Sequence, residues 1–401
     1  MAISPPAAAP VARRLAGTQS SPVRDLLALA SQPHIISLAG GLPAPETFDV
    51  EGLKAAFDAV VGVRALQYSS TEGDRALRAR LAAVMAARGL PATADEILVT
   101  TGSQQALGLV ATTLCDPGDT VLVEDPTYLA ALQTFALADV KAHPIPGDEH
   151  GPDPEGLIAA AARTGATVAY LIPTFQNPTG RTLTHERRAA LAEAARTAGV
   201  WLVEDDPYSA LRLEGEPEDL LAAHPAARDR TIVIQTLSKI LAPGLRIGYL
   251  RAPAALRGPL AVAKQAADLH TSTVAQLAAE RWLATHDLDA HFASLAAHYR
   301  PRRDALLAAL EEHLPAGSTM TRPQGGLFIW ITLPAGYDAE AILPCALEQG
   351  VAFVPGTFFY AGEPKRETLR VSFATATPAE LAEGAARLGA AIGTTGSTSP
   401  A

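Results

Sequence analysis

The residues most suited to chemistry lie in one segment, residues 236–250, whose sequence is TLSKILAPGLRIGYL. Lys239 follows the hydroxyls of Thr236 and Ser238, and Arg246 comes seven residues later. Apolar residues on both sides predict two strands, so the lysine is expected in a partly desolvated place. A neutral lysine amine can form a Schiff base, while hydroxyls and a forked guanidinium suit a phosphate. The segment therefore predicts an amine beside a phosphate. A lysine in an ordinary loop and an arginine in an ion pair would produce the same short motif.

Length and composition indicate a large globular protein that binds small molecules. The 401 residues exceed a typical single domain and predict a large core with a smaller second domain. The net charge is −10, and basic residues form only short clusters such as residues 300–303, which argues against nucleic-acid binding. Neither an export signal nor an apolar stretch long enough to span a membrane is indicated by the sequence, so a cytoplasmic protein is expected.

The two cysteines, Cys115 and Cys345, both lie in apolar patterns. Without a paired-cysteine motif they are expected to be buried free thiols in a reducing compartment. Cysteine and histidine are nowhere spaced as in a metal site, so no metal is expected.

An arginine near the start of the chain stands at an unfavourable position. Residues 1–19, rich in Ala and Pro, are expected to form a mobile arm, and residues 393–401 a flexible tail. A helix should follow the N-terminal arm, with Ser21 as N-cap and Pro22 as first helical residue. Arg24 then falls at the third helical position, where the helix dipole disfavours a cation by roughly 0.3–1 kcal/mol. Either a neighbouring acid compensates this charge, or the arginine has another purpose.

From residue 97 to residue 239 the pattern alternates strands with helices. Nearly continuous Val/Ile/Leu strands between helices predict an α/β fold with a mostly parallel sheet buried on both faces. Ligands bind beyond the carboxyl ends of such strands. Six polar residues lie at predicted strand ends: Ser103, Tyr128, Asn177, Asp205, Tyr208 and Lys239. Ser103 and Gln104 also open a predicted helix whose free N–H groups suit a phosphate, although a serine there can serve only as N-cap.

The last third of the chain predicts a different arrangement. Residues 254–313 are expected to form a long helical stretch broken near Pro301. The short strands that follow, LFIWITL, VAFVP and LRVSFA, alternate with helices and predict a smaller α+β domain with antiparallel character. Arg370 is the one cation in the strand LRVSFA. Because an unpaired buried guanidinium is costly, it should either meet an acid or face a cleft.

The ordered motifs of the chain resemble those of fold-type I pyridoxal-phosphate aminotransferases of class I/II; they are GSQQA, EDPTY, NPTG, EDDPY, TLSK with PGLRIGYL, and LRVSFA. More narrowly, SLAGGLP, LQYSSTEG and SPVRDLL look like the branch of the 2-aminoadipate and kynurenine aminotransferases. The resemblance implies pyridoxal 5'-phosphate as cofactor and a homodimer with active sites at the interface. It also implies a large cofactor-binding domain over residues 48–285 and a small domain over residues 286–392. An N-terminal helix and segment over residues 20–47 would join the small domain.

The resemblance assigns roles to the residues found above. Lys239 would hold the cofactor as a Schiff base and move the substrate proton, Asp205 would pair with the pyridine nitrogen, and Tyr128 would stack on the ring. Tyr208 and Asn177 would contact the ring hydroxyl. The phosphate-binding positions would be Ser103, Gln104, Thr236, Ser238 and Arg246, with Tyr68 reaching the phosphate of the other subunit. The substrate would be bound by Arg370, which grips its α-carboxylate, and by Asn177, Arg24 and Gly40.

The activity implied is amino transfer between an L-amino acid and a 2-oxo acid such as 2-oxoglutarate. Arg24 matches the position that contacts the distal carboxylate of acidic substrates, so 2-aminoadipate and glutamate are expected donors, with leucine or aromatic amino acids as further ones. A lyase, oxidase or cyclase on the same scaffold, or a sensor module that only binds the cofactor, remains an alternative. The regulators of the family carry a winged helix ahead of this fold, which an arm of about 20 residues is too short to hold.

Overall fold

The computed structural model of the chain describes residues 12–15, 26, 32 and 34–396. Its strands, in chain order, are β1 (Ile36–Ser37), β2 (Ile97–Thr100), β3 (Thr120–Val123), β4 (Lys141–Pro144), β5 (Gly147–Asp148), β6 (Gly151–Pro152), β7 (Val168–Leu171), β8 (Trp201–Asp205), β9 (Thr231–Thr236), β10 (Gly248–Arg251), β11 (Thr319–Met320), β12 (Phe328–Thr332), β13 (Val351–Ala352), β14 (Val354–Pro355) and β15 (Thr368–Ser372). Its helices are α1 (Val50–Val60), α2 (Val63–Leu66), α3 (Arg75–Ala86), α4 (Ser103–Leu114), α5 (Leu129–Leu137), α6 (Pro154–Thr164), α7 (His185–Ala198), α8 (Ala254–Asp268), α9 (Thr273–Thr285), α10 (Leu288–His313), α11 (Ala339–Glu348) and α12 (Pro378–Thr395).

The central element is a seven-stranded sheet of order β2-β10-β9-β8-β7-β3-β4. Its neighbouring strands pair in parallel except at β10, which runs antiparallel to both β2 and β9. The mostly parallel sheet expected from the sequence is therefore confirmed. The carboxyl ends of β2, β3, β7, β8 and β9 lie along one edge of the sheet. Strand β10 runs in the opposite direction, so its amino end lies at this edge.

Helices cover both faces of this sheet, as the alternation of buried residues along a strand demonstrates. In β3, Val121 and Val123 pack into one apolar cluster, while Leu122 between them packs into another. The first cluster includes Leu107 of α4, and the second includes Leu191 of α7. Since successive side chains of a strand point to opposite faces, the sheet is buried on both.

A second, four-stranded sheet has the order β11-β12-β15-β14, with every pairing antiparallel. The helices α10 and α12 pack on it through buried residues such as Leu306 and Leu388, in the same apolar cluster as Val371 of β15. The antiparallel pairing predicted for the end of the chain is confirmed. The predicted boundary near residue 286 falls between α9 and α10, and the division into domains there stays a prediction.

The long helical stretch expected over residues 254–313 is three helices, α8, α9 and α10, and the predicted break near Pro301 is wrong. Pro301 lies inside α10, and the interruptions lie between Asp268 and Thr273 and between Thr285 and Leu288. Leu295 and Tyr299 before the proline, and Leu306 after it, are all buried in one cluster. Packing along the whole helix offsets the lost backbone hydrogen bond, so the helix continues.

Several smaller expectations also need correction. Cys115 and Cys345 are free but only half-buried. Helix α12 ends at Thr395, beyond the predicted start of the tail at residue 393. The predicted start of a helix at Ser21 lies outside the described residues, whereas Leu26, within the predicted helix, is helical and buried. None of the described helices is both long and apolar enough to cross a membrane.

Candidate active site

Most of the predicted site residues line one cavity of about 460 Å³ beyond the carboxyl ends of the central strands. The predicted residues in its wall are Ser103, Gln104, Tyr128, Asn177, Asp205, Tyr208, Thr236, Ser238, Lys239, Arg246 and Arg370. Gly41, Leu42, Ile172 and Phe328 complete much of the remaining surface. The second sheet contributes Phe328 and Arg370, so residues of both sheets form the wall of the cavity.

Lys239 ends a short 3-10 turn, Leu237–Lys239, directly after β9. Its ammonium donates to the carbonyl of Gly41 at 2.7 Å. Burial lowers the pKa of Lys239 to about 8, and the charges of Arg370 and Arg246 act in the same direction. No acidic side chain among the described residues forms an ion pair with this lysine, so a neutral amine is accessible near physiological pH.

Asp205, the last residue of β8, presents a buried carboxylate to the cavity and is 2% exposed. The hydroxyl of Tyr170 on β7 donates to its Oδ2 at 2.7 Å, while its Oδ1 is buried without a partner in the described structure. Burial raises the pKa of Asp205 to about 7, opposed by the Tyr170 hydrogen bond and assisted by the charge of Asp206. An unpartnered buried carboxylate oxygen is costly, and a protonated ring nitrogen would satisfy it.

Another part of the cavity wall, here called the Arg246 end, consists of hydroxyls, backbone N–H groups and a guanidinium. Gly102 caps α4 with φ 76°, and a Cβ there would lie 2.3 Å from Nη2 of Arg246. Ser103 is thus the first helical residue rather than the N-cap. Thr236 donates its hydroxyl to Oγ of Ser238 at 2.9 Å. The helix N-terminus, the hydroxyls and the guanidinium together form a seat for an anion.

Arg246 lies two residues before β10, and it adopts a left-handed conformation with φ 54°. Its Nη2 donates to the carbonyl of Thr101 at 3.4 Å, which brings the guanidinium beside the start of α4. The loop predicted from the segment 236–250 is therefore compact enough to place Lys239 and Arg246 in the wall of the same cavity.

Arg370 faces the cavity from β15 and is 5% exposed. Its Nη1 donates to Oδ1 of Asn177 and its Nη2 to the carbonyl of Ala39, both at 2.8 Å. Its guanidinium carbon lies 4.2 Å from the centre of the Phe328 ring, and burial lowers the pKa of Arg370 to about 10. Among the described residues no acid pairs with it. The sequence predicted that Arg370 would either meet an acid or face a cleft, and in the structure it faces a cleft.

Two tyrosines and Asn177 surround the centre of the cavity. Tyr208 is buried against Phe328, with ring centres 5.9 Å apart at nearly right angles. Burial is the largest cause that raises its pKa, and a hydrogen bond with Asn177 opposes it. Burial also raises the pKa of Tyr128 to about 12, so both phenols are protonated donors at physiological pH.

Two predicted residues, Tyr68 and Gly40, are not in the described cavity wall. Tyr68 is 77% exposed, and its ring meets the edge of His270 at a centre distance of 5.6 Å. Gly40 is buried next to Gly41, whose carbonyl receives Lys239. Arg24 lies outside the described residues.

Sequence reasoning missed Tyr170, Gly41 and Phe328. The available signal for Tyr170 was a hydroxyl in the otherwise apolar strand VAYL, which had to find a partner inside the sheet. Tyr170 pairs with Val203 in the register of β7 and β8, so it points to the same face as Asp205 two residues on.

These residues fit pyridoxal 5'-phosphate. The unpartnered Oδ1 of Asp205 suits a ring nitrogen, the accessible amine of Lys239 suits an aldehyde, and the seat around Ser103 suits a phosphate. Fold and cavity together define a fold-type I enzyme that depends on this cofactor.

The chain belongs to the family described as aminotransferase class I and II, which matches residues 34–388. It is therefore an aminotransferase, its cofactor is pyridoxal 5'-phosphate, and its substrates are amino acids and 2-oxo acids.

Its relatives include an aromatic-amino-acid aminotransferase 1 of Thermococcus litoralis, 42% identical over 94% of this chain and 92% of the relative. Among solved structures, the kynurenine aminotransferase of Pyrococcus horikoshii is 40% identical with a TM-score of 0.91, over 96% of this chain and 97% of that one. An α-aminoadipate aminotransferase of Thermus thermophilus, complexed with N-(5'-phosphopyridoxyl)-L-leucine, is 37% identical with a TM-score of 0.88, over 96% and 97% of the two chains. The resemblance stated from the motifs is thereby confirmed at the level of the family and its branch.

Proposed function

We propose that the enzyme transfers the amino group of 2-aminoadipate or glutamate, and also of leucine or aromatic amino acids, to a 2-oxo acid such as 2-oxoglutarate. The observation that carries this proposal is Arg370, a buried guanidinium that faces the cavity without an acidic partner among the described residues. Its fork suits the α-carboxylate that all these substrates share. The names of the relatives, which cover aromatic, kynurenine and aminoadipate substrates, support a broad donor range.

Each site residue has a proposed part in this reaction. Pyridoxal phosphate, when bound, supplies an electron sink for the pair left at the substrate Cα. Lys239 takes the proton from Cα, because its lowered pKa keeps a neutral amine accessible. Asp205 holds a proton on the ring nitrogen through its free Oδ1. Arg370 orients the substrate so that the Cα–H bond is the one broken.

The walls of the cavity support donors with different side chains. The cations in the described part of its wall are Lys239, Arg246 and Arg370, each already given a role above. A distal carboxylate therefore needs a further cation, which we assign to Arg24. Apolar side chains would instead rest on surfaces such as Leu42, which is 59% exposed at the cavity.

The first experiment follows the absorption of the bound cofactor after each donor is added without a 2-oxo acid. Conversion from the aldehyde to the amine form, reversed by 2-oxoglutarate, is the expected result. The order of donors then gives the substrate class. If the aldehyde form persists with every donor, the proposed donors are wrong and the enzyme takes its amino group from another amino acid.

The second experiment separates the acidic donors from the apolar ones. Arg24→Ala should raise KM for 2-aminoadipate and glutamate roughly tenfold or more and leave leucine nearly unchanged. Arg196→Ala, which removes an exposed arginine paired with Glu193, is the matched control. Equal losses for acidic and apolar donors would remove Arg24 from the site.

We further propose a homodimer in which Tyr68 completes the partner's phosphate seat. Its exposed ring stands beside other exposed apolar residues, Val63 and Leu66, which suits burial against a second copy. At a pyridoxal 5'-phosphate concentration too low to load Tyr68→Ala dimers, mixing them with Lys239→Ala subunits should restore activity, because one site of each mixed dimer has both residues. Absence of any recovery, with mixed dimers verified by mass, would contradict this role of Tyr68.

A further inference from the structure

A fully buried lysine lies outside the cavity. Lys264, on α8, is 0% exposed. Its ammonium donates to Oε1 of Gln105 at 2.9 Å, to Oδ1 of Asp268 at 2.5 Å and to Oγ1 of Thr271 at 3.0 Å. All three ammonium donors are therefore used. A buried charge of this kind is costly, and an apolar side chain could fill the same space at lower cost.

All three acceptors also contact a single residue, Thr101. The backbone N–H of Thr101 donates to the same Oε1 of Gln105 at 2.8 Å, and its hydroxyl donates to Oδ2 of Asp268 at 2.8 Å. The hydroxyl of Thr101 also lies 3.2 Å from that of Thr271. Every partner of Lys264 thus contacts Thr101, so the lysine fixes this residue without touching it.

Thr101 stands directly behind the anion seat. Its carbonyl accepts from Nη2 of Arg246, and it is followed by Gly102 and by Ser103, the first residue of α4. A change in the position of Thr101 would move the guanidinium and the helix terminus together. The tight fit at Gly102, where an added Cβ would reach Arg246, leaves little room for such a change.

We propose that Lys264 is a positioning residue for the cofactor phosphate, acting through Gln105 and Asp268 on Thr101 and so on Arg246 and Ser103. This inference rests on the proposed placement of the phosphate beside Ser103 and Arg246. A lysine that only stabilised the fold would affect the binding of every ligand of the cavity alike. A lysine that positions the seat affects only ligands with a phosphate.

The test uses the full-length protein and compares pyridoxal 5'-phosphate with pyridoxal, which lacks the phosphate. Lys264→Met keeps an unbranched side chain, one atom shorter than lysine, and removes its charge and donors. The dissociation constant of pyridoxal 5'-phosphate should rise roughly 10- to 100-fold, the size of lost hydrogen bonds to charged groups. That of pyridoxal should change by less than about threefold. Equal changes for the two ligands, or none, would overturn the proposal.

Control variants separate this proposal from the one on which it rests. Arg387→Met removes another cation of an i,i+4 pair, with Glu383 on α12, and should leave both constants unchanged. Arg246→Ala should weaken the preference for the phosphorylated ligand directly. If it does and Lys264→Met does not, the role of Lys264 alone is wrong; if Arg246→Ala keeps the full preference, the phosphate seat itself is misplaced.

A milder variant covers the case in which Lys264→Met does not fold. Thr101→Val preserves the shape of the side chain and removes only the hydroxyl that donates to Asp268. The dissociation constant of pyridoxal 5'-phosphate should rise roughly 2- to 10-fold, again with little change for pyridoxal. An unchanged ratio of the two constants in this folded variant would count against the proposal.

Discussion

The two ends of the cavity are built in opposite ways. At the Asp205 end a single carboxylate is buried in the sheet, with Tyr170 as its side-chain hydrogen-bond partner. At the Arg246 end the hydroxyls, the N-terminus of α4 and the guanidinium together form the anion seat, and Arg246 is exposed. Burial amplifies the effect of one charge at the first end, whereas solvent and multiple donors dilute each contribution at the second. Substitutions should therefore affect turnover mainly at the first end and cofactor affinity mainly at the second.

The strongest test of this contrast is Asp205→Asn. The amide still accepts from Tyr170 but cannot hold a proton on the ring nitrogen, so kcat should fall roughly 10²- to 10³-fold. The dissociation constant of the cofactor should change far less. Asp125→Asn is the control, because the carboxylate of Asp125 accepts the N–H of Ala361 outside the cavity. Similar losses of kcat in both variants would contradict the contrast.

The same variant tests the electrostatic cause. Burial raises the pKa of Asp205 from an ordinary value of 3.8 to about 7, so between these values the folded protein keeps a proton that the unfolded chain has lost. The carboxyl therefore lowers stability increasingly as pH rises to about 7, and by a constant amount above it. Without cofactor, Asp205→Asn should raise Tm more at pH 8 than at pH 5. A difference independent of pH would show that this carboxyl is not desolvated.

Tyr170→Phe should have a smaller effect of the same kind. Loss of the hydrogen bond to Oδ2 raises the pKa of Asp205 further, so the acidic limb of the kcat/KM profile should move to higher pH, with kcat down roughly tenfold. Tyr249→Phe, which loses an equally buried hydroxyl bonded to Gln235, is the control. An unshifted profile would limit Tyr170 to packing.

The smallest effect is expected at the other end. Ser103→Ala removes one donor among several and should raise the dissociation constant of the cofactor roughly 2- to 10-fold, with kcat nearly unchanged. Thr112→Ala, on the same helix but with its hydroxyl bonded to Gly108, provides the baseline. A loss of kcat as large as that of Tyr170→Phe would mean that the two ends do not differ as proposed.

The sequence predicted what depends on local pattern. Hydrophobic strands between helices indicated the parallel sheet, and the rule for strand ends placed Ser103, Asn177, Asp205 and Lys239 at one edge before any contact was known. Contacts between distant segments could not be obtained in this way. The hydroxyl of Tyr170 on β7 donates to Asp205 on the neighbouring strand β8. The burial of α10 along its length overrides the local effect of Pro301.

The antiparallel strand β10 has a consequence for the length of the chain. Strand β10 starts at the edge where β9 ends, so Lys239 and Arg246 lie in the single loop that connects the two strands. Gly248 of β10 pairs with Thr236 on one side and with Thr100 on the other. A residue inserted or deleted between Lys239 and Arg246 would change the separation of the amine and the guanidinium. In this segment the spacing is as much a part of the site as the side chains, and length variation should be tolerated in the connections at the opposite edge instead.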